Sequence, residues 1–435
     1  MSPWEFIGIQ MILLLVSLFI LLFLGVPIAY ALGLSALSYF LIEQPMLIGI
    51  LPQRLFAGIN NYALISLPLF ILMGFVMNIG GITERLLNLS LFFVGRFKGG
   101  LGLVNVVASM IFGGISGSSA SDTASIGSVL IPEMRKRGYP ASFAAGITVA
   151  SSTMGMVIPP SVPMVIYAIV AQESVGQLFL GGLIPGLLIG VFQLAIVYWV
   201  SKRKNFPTQP IAWTFENAIA QVKGAGLVVI MPILIVGSVV FGIATPTESA
   251  GLGVLYGLIL GFFLTGLGSL KRLPESMRVA ILTSAKIMMI IAFSQLYIWV
   301  LALERVPDML AAYVVSLDLG PTALMLVIAV VILIAGTFID VSPAILLLTP
   351  VLLPAATATG VSGVQFGVVL VSGLAVGACT PPVGNCLNVC AAIARMGIGS
   401  IFVGAAPFLL GNVAVLILIC LFPQLVLWVP SLVFP

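Results

Sequence analysis

The chain of 435 residues has no histidine, and only 7% of it is charged. A soluble domain carries roughly 25% charged residues, so this shortage excludes an ordinary soluble protein. Cysteine is scarce too: Cys379, Cys386, Cys390 and Cys420 all stand inside apolar segments. Cys386 and Cys390 share a helix face, but with no histidine and no nearby carboxylate they make a poor metal site. All four read as small buried apolar residues, and neither a disulfide framework nor a transition-metal site is expected. The net charge of +4 resides in short loops and gives no case for nucleic acid. The start, "MSPWEFIGIQMILLLVSLFILLFLGV", lacks a basic leader and a small-residue cleavage site, and reads as a first spanning helix rather than a signal peptide.

Apolar sequence is what the chain has in abundance: 61% of residues are hydrophobic, with a mean hydropathy of +1.26. Runs of about 20 apolar residues, the spanning length of a helix, recur from end to end. The fold class is therefore an all-α polytopic membrane protein set in a lipid bilayer, and not an enzyme. Spanning helices are expected at 6–24, 28–42, 62–80, 142–171, 178–200, 225–243, 250–268, 279–303, 364–394 and 402–428. Two further segments, 101–131 and 321–354, are broken by polar turns, "GGISGSSASD" and "GTFIDVSP", and read as re-entrant hairpins.

Charge tests the hairpins. Lys and Arg favour short cytoplasmic loops. The first hairpin lies between Arg96 and Lys98 on one side and Arg135, Lys136 and Arg137 on the other, so both its ends are expected inside. The second has no Lys or Arg at either flank, so both its ends are expected outside. "SKRKN" at 201–205, "LKRLPESMR" at 270–278 and Arg395 then fall inside, both termini outside, and only Arg54 and Arg305 oppose the rule. Amphipathic pieces at 83–97, 211–224 and 307–320 read as surface or connecting arms. The hydrophilic linker 201–224 separates a first half, 1–200, from a second, 225–435.

A shift of 222 residues lays Gly114 on Gly336, Pro132 on Pro354, Gly138 on Gly360, Gly155 on Gly377 and Pro159-Pro160 on Pro381-Pro382. The matches are few; their weight comes from marking the same events in each half. Each half holds about five spans plus one hairpin. Five is odd, so the second repeat is expected upside down. Inverted repeats with broken helices are a signature of secondary transporters, whose site lies at the repeat interface.

Three uses compete for the polar stretches. "GISGS" at 114–118 looks like a serine nucleophile motif, but a serine needs a base to activate it, and no histidine or placed lysine supplies one. Close packing of small residues accounts for stretches such as "VLYGLILGFF" better than for Asp122 among serines or for Asp340, since a carboxylate at membrane depth marks a functional site by default. Ion and substrate binding fits best. Broken helices bare carbonyls that suit Na⁺ and amides that suit an anion. The first hairpin offers Gly114, Ser116, Ser118, Ser119, Ser121 and Asp122, faced by 151–161; the second offers Gly336, Thr337 and Asp340, faced by 377–385. One Na⁺ site is expected per pair. Lys286 is the one candidate cation at depth and is expected to snorkel to the inner surface.

"GGISGSSASDTASIGSVLIPEMRKRGYP", "SSTMGMVIPPSVPMVIYA", "GTFIDVSPAILLLTPVLLP" and "GACTPPVGNCLNV" resemble the large membrane subunit of the tripartite ATP-independent periplasmic (TRAP) transporters over essentially the whole chain. The resemblance implies Na⁺-driven uptake of a small carboxylate across the bacterial inner membrane by an elevator mechanism, with two or more Na⁺ as coupling ions. It implies two partners, a small four-helix membrane subunit as a separate chain and a periplasmic substrate-binding protein. It places Na⁺ at Gly114, Ser116, Ser119, Asp122, Gly155 and Pro159 in the first half, and at Gly336, Asp340, Gly377, Thr380 and Pro381 in the second. Substrate would meet Ser116, Ser118, Ser151, Ser152, Ser161 and Asp340. Two alternatives stand beside it: a self-sufficient anion or Na⁺/H⁺ exchanger of related fold, and a membrane scaffold without transport.

Overall fold

The computed structural model describes residues 9–209, 214–264, 271 and 273–434, and among them there is helix but no strand. Helices α1 (Ile9–Phe23), α2 (Ile28–Glu43) and α3 (Leu51–Ile59) lead to α4 (Ser66–Ile79) and α5 (Ile82–Val94). The first hairpin is α6 (Gly100–Ser116) with α7 (Ser119–Lys136). The broken span that follows is α8 (Ala141–Ser152), the single turn α9 (Met154–Val157) and α10 (Val162–Ala171). Then come α11 (Val175–Lys204), α12 (Phe215–Val240), α13 (Pro246–Leu258), α14 (Leu273–Leu303) and α15 (Val306–Ser316). The second hairpin is α16 (Pro321–Phe338) with α17 (Val341–Ala358), and the second broken span α18 (Gly363–Gly377) with α19 (Asn385–Ala394). The chain closes with α20 (Ile398–Leu421) and α21 (Gln424–Val433).

The breaks follow from local chemistry. At the first tip Gly117 takes the left-handed conformation, φ 60°, which ends α6, and an added Cβ would lie 3.1 Å from the Pro160 carbonyl oxygen. At the second tip Asp340 stops the turn by accepting a hydrogen bond from the Val341 amide at 3.0 Å. Proline has no N–H to continue a helical ladder, and Pro159-Pro160 and Pro381-Pro382 interrupt the two broken spans, each through a cis peptide.

Several element starts and breaks lie 222 residues apart in the structure. The shift carries Ser119, the start of α7, onto Val341, the start of α17, and Ala141 of α8 onto Gly363 of α18. Left-handed Gly138 falls on left-handed Gly360, and Pro185 inside α11 on Pro407 inside α20. Packing obeys the same register. α7 lies on α8 of its own half and on α19 of the other; α17 lies on α18 of its own half and on α10 of the other. Small residues let the backbones meet: a Cβ on Gly113 would lie 2.9 Å from the Gly155 Cα, and one on Gly377 2.6 Å from the Gly336 Cα.

Two apolar cores result. The larger joins both hairpins, both broken spans, α4, α11 and α20. The smaller joins α1, α2 and α3 to the second half of α14 through Leu14, Leu32, Phe40, Tyr297 and Val300. Trp299 stacks on Phe40 at 4.8 Å between centroids.

The spans differ from expectation in detail. Six described helices are long and apolar enough to cross a membrane alone, and the 141–171 pair, bent by 41°, makes a seventh. α16 and α17 are two of the six, so length by itself does not distinguish that hairpin from two crossings. The expected span 364–394 is interrupted from 378 to 384, and 402–428 is divided between α20 and α21. Of the connecting arm 211–224, residues 211–213 lie outside the described residues; from Phe215 onward it is the start of α12 rather than a separate helix, because its polar turns run on into apolar sequence without a breaker. Residues 6–8 and 265–268 of two other expected spans also lie outside the described residues.

Candidate functional site

The two hairpin tips face one cavity. Between them, α4 and α14 lies a cavity of about 540 Å³. Ser116, Ser118 and Ser121 line it from the first tip, Asp340, Ser342 and Asn385 from the second half, and Asn78, Thr283 and Lys286 from the facing helices. Polar groups from residues up to 307 positions apart, Asn78 and Asn385, thus converge on one chamber, in the size range of small-molecule sites.

Behind the first tip is a second, fully enclosed feature. The Asp122 side chain has no solvent exposure, and one of its oxygens accepts a hydrogen bond from Ser116 Oγ. The other, Oδ2, has no hydrogen-bond partner, and neither do Ser119 Oγ and Thr123 Oγ1 on the same turn of α7. The carboxylate presses on Gly155 of the broken span; an added Cβ there would lie 2.5 Å from Oδ2. Gly114 lies beside the Pro159 carbonyl, 3.0 Å from the position of an added Cβ. A buried carboxylate with an unsatisfied oxygen is costly until a cation or a proton compensates it. Ser116 bonds to this acid and also lines the cavity, so it links the enclosed oxygens to the chamber.

The second half is built differently. Gly336 and Gly377 touch, and the Val383 amide donates to the Thr337 carbonyl at 3.1 Å, tying the tip to the break. Thr337 Oγ1 and Thr380 Oγ1 donate to Ile334 O and Val376 O of their own helices. Asp340 is exposed to the cavity, with Asn385 Nδ2 at 3.5 Å. Pro381 sits in the break itself.

Three serines named from sequence turn elsewhere. Ser151 Oγ joins an internal network, donating to Asn105 Oδ1 at 3.0 Å and accepting from Ser109 at 2.9 Å. Ser152 Oγ donates to Val149 O at 2.8 Å. Ser161 donates to Met156 O and caps α10 through the Met164 amide. None of the three lines the cavity.

Lys286, exposed, forms part of the cavity wall. Asn385 closes the stretch 377–385 expected to face the second hairpin; sequence reasoning missed Asn78 and Thr283, and the buried Gln193–Asn412 pair, 2.8 Å apart, which ties α11 and α20 to the Ala150 carbonyl of α8. Polar residues within otherwise apolar helices were the available signal. Among the described residues no three His, Cys, Asp or Glu side chains come together. The oxygens on offer are hydroxyls, carbonyls and single carboxylates, the hard ligands that suit an alkali cation.

Comparison with known proteins agrees with this geometry. The family model described as "Tripartite ATP-independent periplasmic transporter, DctM component" matches residues 15–425. A sialic acid TRAP transporter large permease protein of Vibrio cholerae is 36% identical over 95% of this chain and 96% of its own length. The C4-dicarboxylate TRAP transporter large permease protein of Pseudomonas aeruginosa is 35% identical over 92% and 94%. An isethionate TRAP transporter permease protein of Oleidesulfovibrio alaskensis is 37% identical over 93% of this chain, which spans 64% of that longer protein. In fold, the crystal structure of the YdaH transporter of Alcanivorax borkumensis superposes with a TM-score of 0.60 at 15% identity, over 90% of each chain. The setting is the bacterial inner membrane, which the chain crosses several times, and the relatives are transporter permeases rather than enzymes. The chain belongs to this family, as the large permease component of a tripartite ATP-independent periplasmic transporter.

Proposed function

We propose that the chain performs Na⁺-coupled uptake of a small organic acid, delivered by a periplasmic binding protein and carried with the help of a separate small membrane subunit. The observation that carries this is the adjacency of two unlike features at one hairpin tip. A solvent-reaching chamber holds Lys286 and several hydroxyls, and directly behind it, joined by Ser116, lies an enclosed carboxylate with one unpartnered oxygen beside the unpartnered hydroxyls of Ser119 and Thr123. The chamber suits an acid group paired with one cation; the enclosed oxygens suit Na⁺. Binding either would order the tip for the other, which is the coupling a symporter needs. The relatives named for sialic acid, C4-dicarboxylates and isethionate support a small organic anion as the class.

The halves are read as inverted repeats, whose hairpins and broken spans move as one body past α4 and α14. The separate core of α1–α3 with the second half of α14 supports a distinct scaffold on that side, while α4 shares the core of the hairpins and broken spans. Uptake of labelled sialic acid, succinate and isethionate into proteoliposomes, with the small subunit and an inward Na⁺ gradient, tests the proposal with and without the binding protein. Uptake that needs both Na⁺ and the binding protein supports it. Uptake driven by a proton gradient alone, without the binding protein, would favour a self-sufficient exchanger with Asp122 as the proton carrier.

A further inference from the structure

The first cavity ends on α14 at Ile290, and a second, of about 460 Å³, begins at Ile291. Three helices line both on successive turns. α14 gives Thr283 to Ile290 to one and Ile291 to Ala302 to the other. α10 gives Val162 and Pro163, then Ile166, Ile169 and Val170; α17 gives Val341 and Ser342, then Pro350. Met164, Val165 and Leu346, which fall between these positions along α10 and α17, are fully buried. The cavities are two ends of one track along α14. Because "LKRLPESMR" places the start of α14 inside by the charge rule, the second cavity faces outward.

Its chemistry is that of an anion site. Arg54 holds its guanidinium carbon 4.7 Å from the Trp299 ring centroid, and among the described residues no carboxylate pairs with it. Stacking on an aromatic face fixes the plane of an arginine and leaves its N–H edge for an acceptor. Asn60, Asn61, Gln172 and Gln295 stand around it on the same wall. Asn61 Oδ1 is already used by the Ala63 amide, which leaves its NH₂ as donor. An arginine on α3 near the outer side also opposes the bias of Lys and Arg toward the inside; a binding role supplies the missing reason.

We propose that this cavity is an outer anion station, in which Arg54, Asn61 and Gln295 take the acid group of the incoming substrate before the hairpin tips receive it. The proposal rests on the uptake function proposed above and adds the first stop on its path. From Lys286 to Gln295 is nine residues of helix, so the tips would travel roughly 14 Å along α14 between the stations.

The test is Gln295→Cys in right-side-out vesicles, labelled from outside with the anionic sulfonatoethyl and the cationic trimethylammonioethyl methanethiosulfonates. Labelling of the parent is subtracted; its four cysteines are buried. Relative to a free thiol in solution, the anionic reagent should react roughly tenfold or more faster than the cationic one, because a fixed positive charge a few ångströms away attracts one and repels the other. Arg54→Gln should bring the ratio close to one, and Arg54→Lys should keep it well above one. A ratio indifferent to Arg54→Gln, or a thiol out of reach from outside, overturns the station. The assay needs neither substrate nor uptake. A ratio that follows Arg54 without measurable uptake would keep the station and sink the uptake proposal, while normal uptake with an indifferent ratio would do the reverse.

Discussion

Asp122→Asn isolates the ion site. The substitution keeps the shape of the side chain and removes its charge. In the parent, one carboxylate oxygen takes a hydrogen bond from Ser116 and the other is buried without a partner. An interaction with a charged group inside a protein contributes about 1.5–3 kcal/mol, and about 1.4 kcal/mol is tenfold. The half-saturating Na⁺ concentration for uptake should therefore rise roughly 10- to 150-fold. Ion-free stability should move the other way, because a neutral amide costs less to bury than an unpaired carboxylate. Thermal unfolding in detergent separates the two effects. At 100 mM Na⁺ and a dissociation constant of about 10 mM, binding stabilises the parent by RT ln 11, roughly 1.4 kcal/mol, over the same concentration of K⁺. The variant should unfold in K⁺ at or above the parent's temperature and gain no more than about 0.4 kcal/mol from Na⁺ at this site. An Na⁺ shift equal to the parent's would refute the argument and leave Asp122 as a proton carrier or a structural group.

Lys286→Gln should raise the half-saturating substrate concentration about tenfold or more through loss of a charge-assisted bond, with Na⁺ activation unchanged and Lys286→Arg partly rescuing; concentration series in both solutes check this. Gly377→Ala should destabilise by about 1–3 kcal/mol, since its Cβ would overpack the Gly336 backbone, whereas Gly399→Ala, with nothing within 4 Å, should be close to neutral in the same melting assay. Glu173, in the loop between α10 and α11, lies against Gly363, and burial raises its carboxyl above the ordinary value of 4.5. The fold favours its protonated form, so this contribution is present at low pH and is lost as pH rises through the raised pKa. Glu173→Gln should therefore melt like the parent below pH 4.5 and above the parent at neutral pH.

The parts legible in the sequence were those written in single residues. A proline pair that stops a ladder and an acid among serines are local events, and Pro159-Pro160 and Asp122 carry them. What the sequence hid was direction. A helix apolar all round has no polar face to orient it, so the side of α14 that turns to the cavity is decided by its neighbours, and Thr283 came to the cavity wall unforeseen. Ser151 and Ser116 look alike in a polar stretch. Asn105, 46 residues away, turns the first inward, while the tip geometry leaves the second on the chamber.

The repeat itself leads to the last expectation. Equal halves suggested one Na⁺ site behind each tip, yet the 222-residue register lays Ser118 on Asp340 and Asp122 on Ala344. The acid of the second half is therefore not the counterpart of Asp122. It stands four residues earlier in the register, at the N-cap of α17, open to the cavity, while its buried counterpart position holds an alanine methyl. Asparagine caps a helix about as well as aspartate, so Asp340→Asn should cost little stability. It should alter the half-saturating substrate concentration, and with it the preference between hydroxylated and unhydroxylated acids. Half-saturating Na⁺ should stay within about twofold of the parent, a change of less than about 0.5 kcal/mol. If Na⁺ activation instead shifted as far as in Asp122→Asn, the two acids would share one role despite their different registers. Ion binding would then follow the symmetry of the fold rather than the burial of the carboxylate.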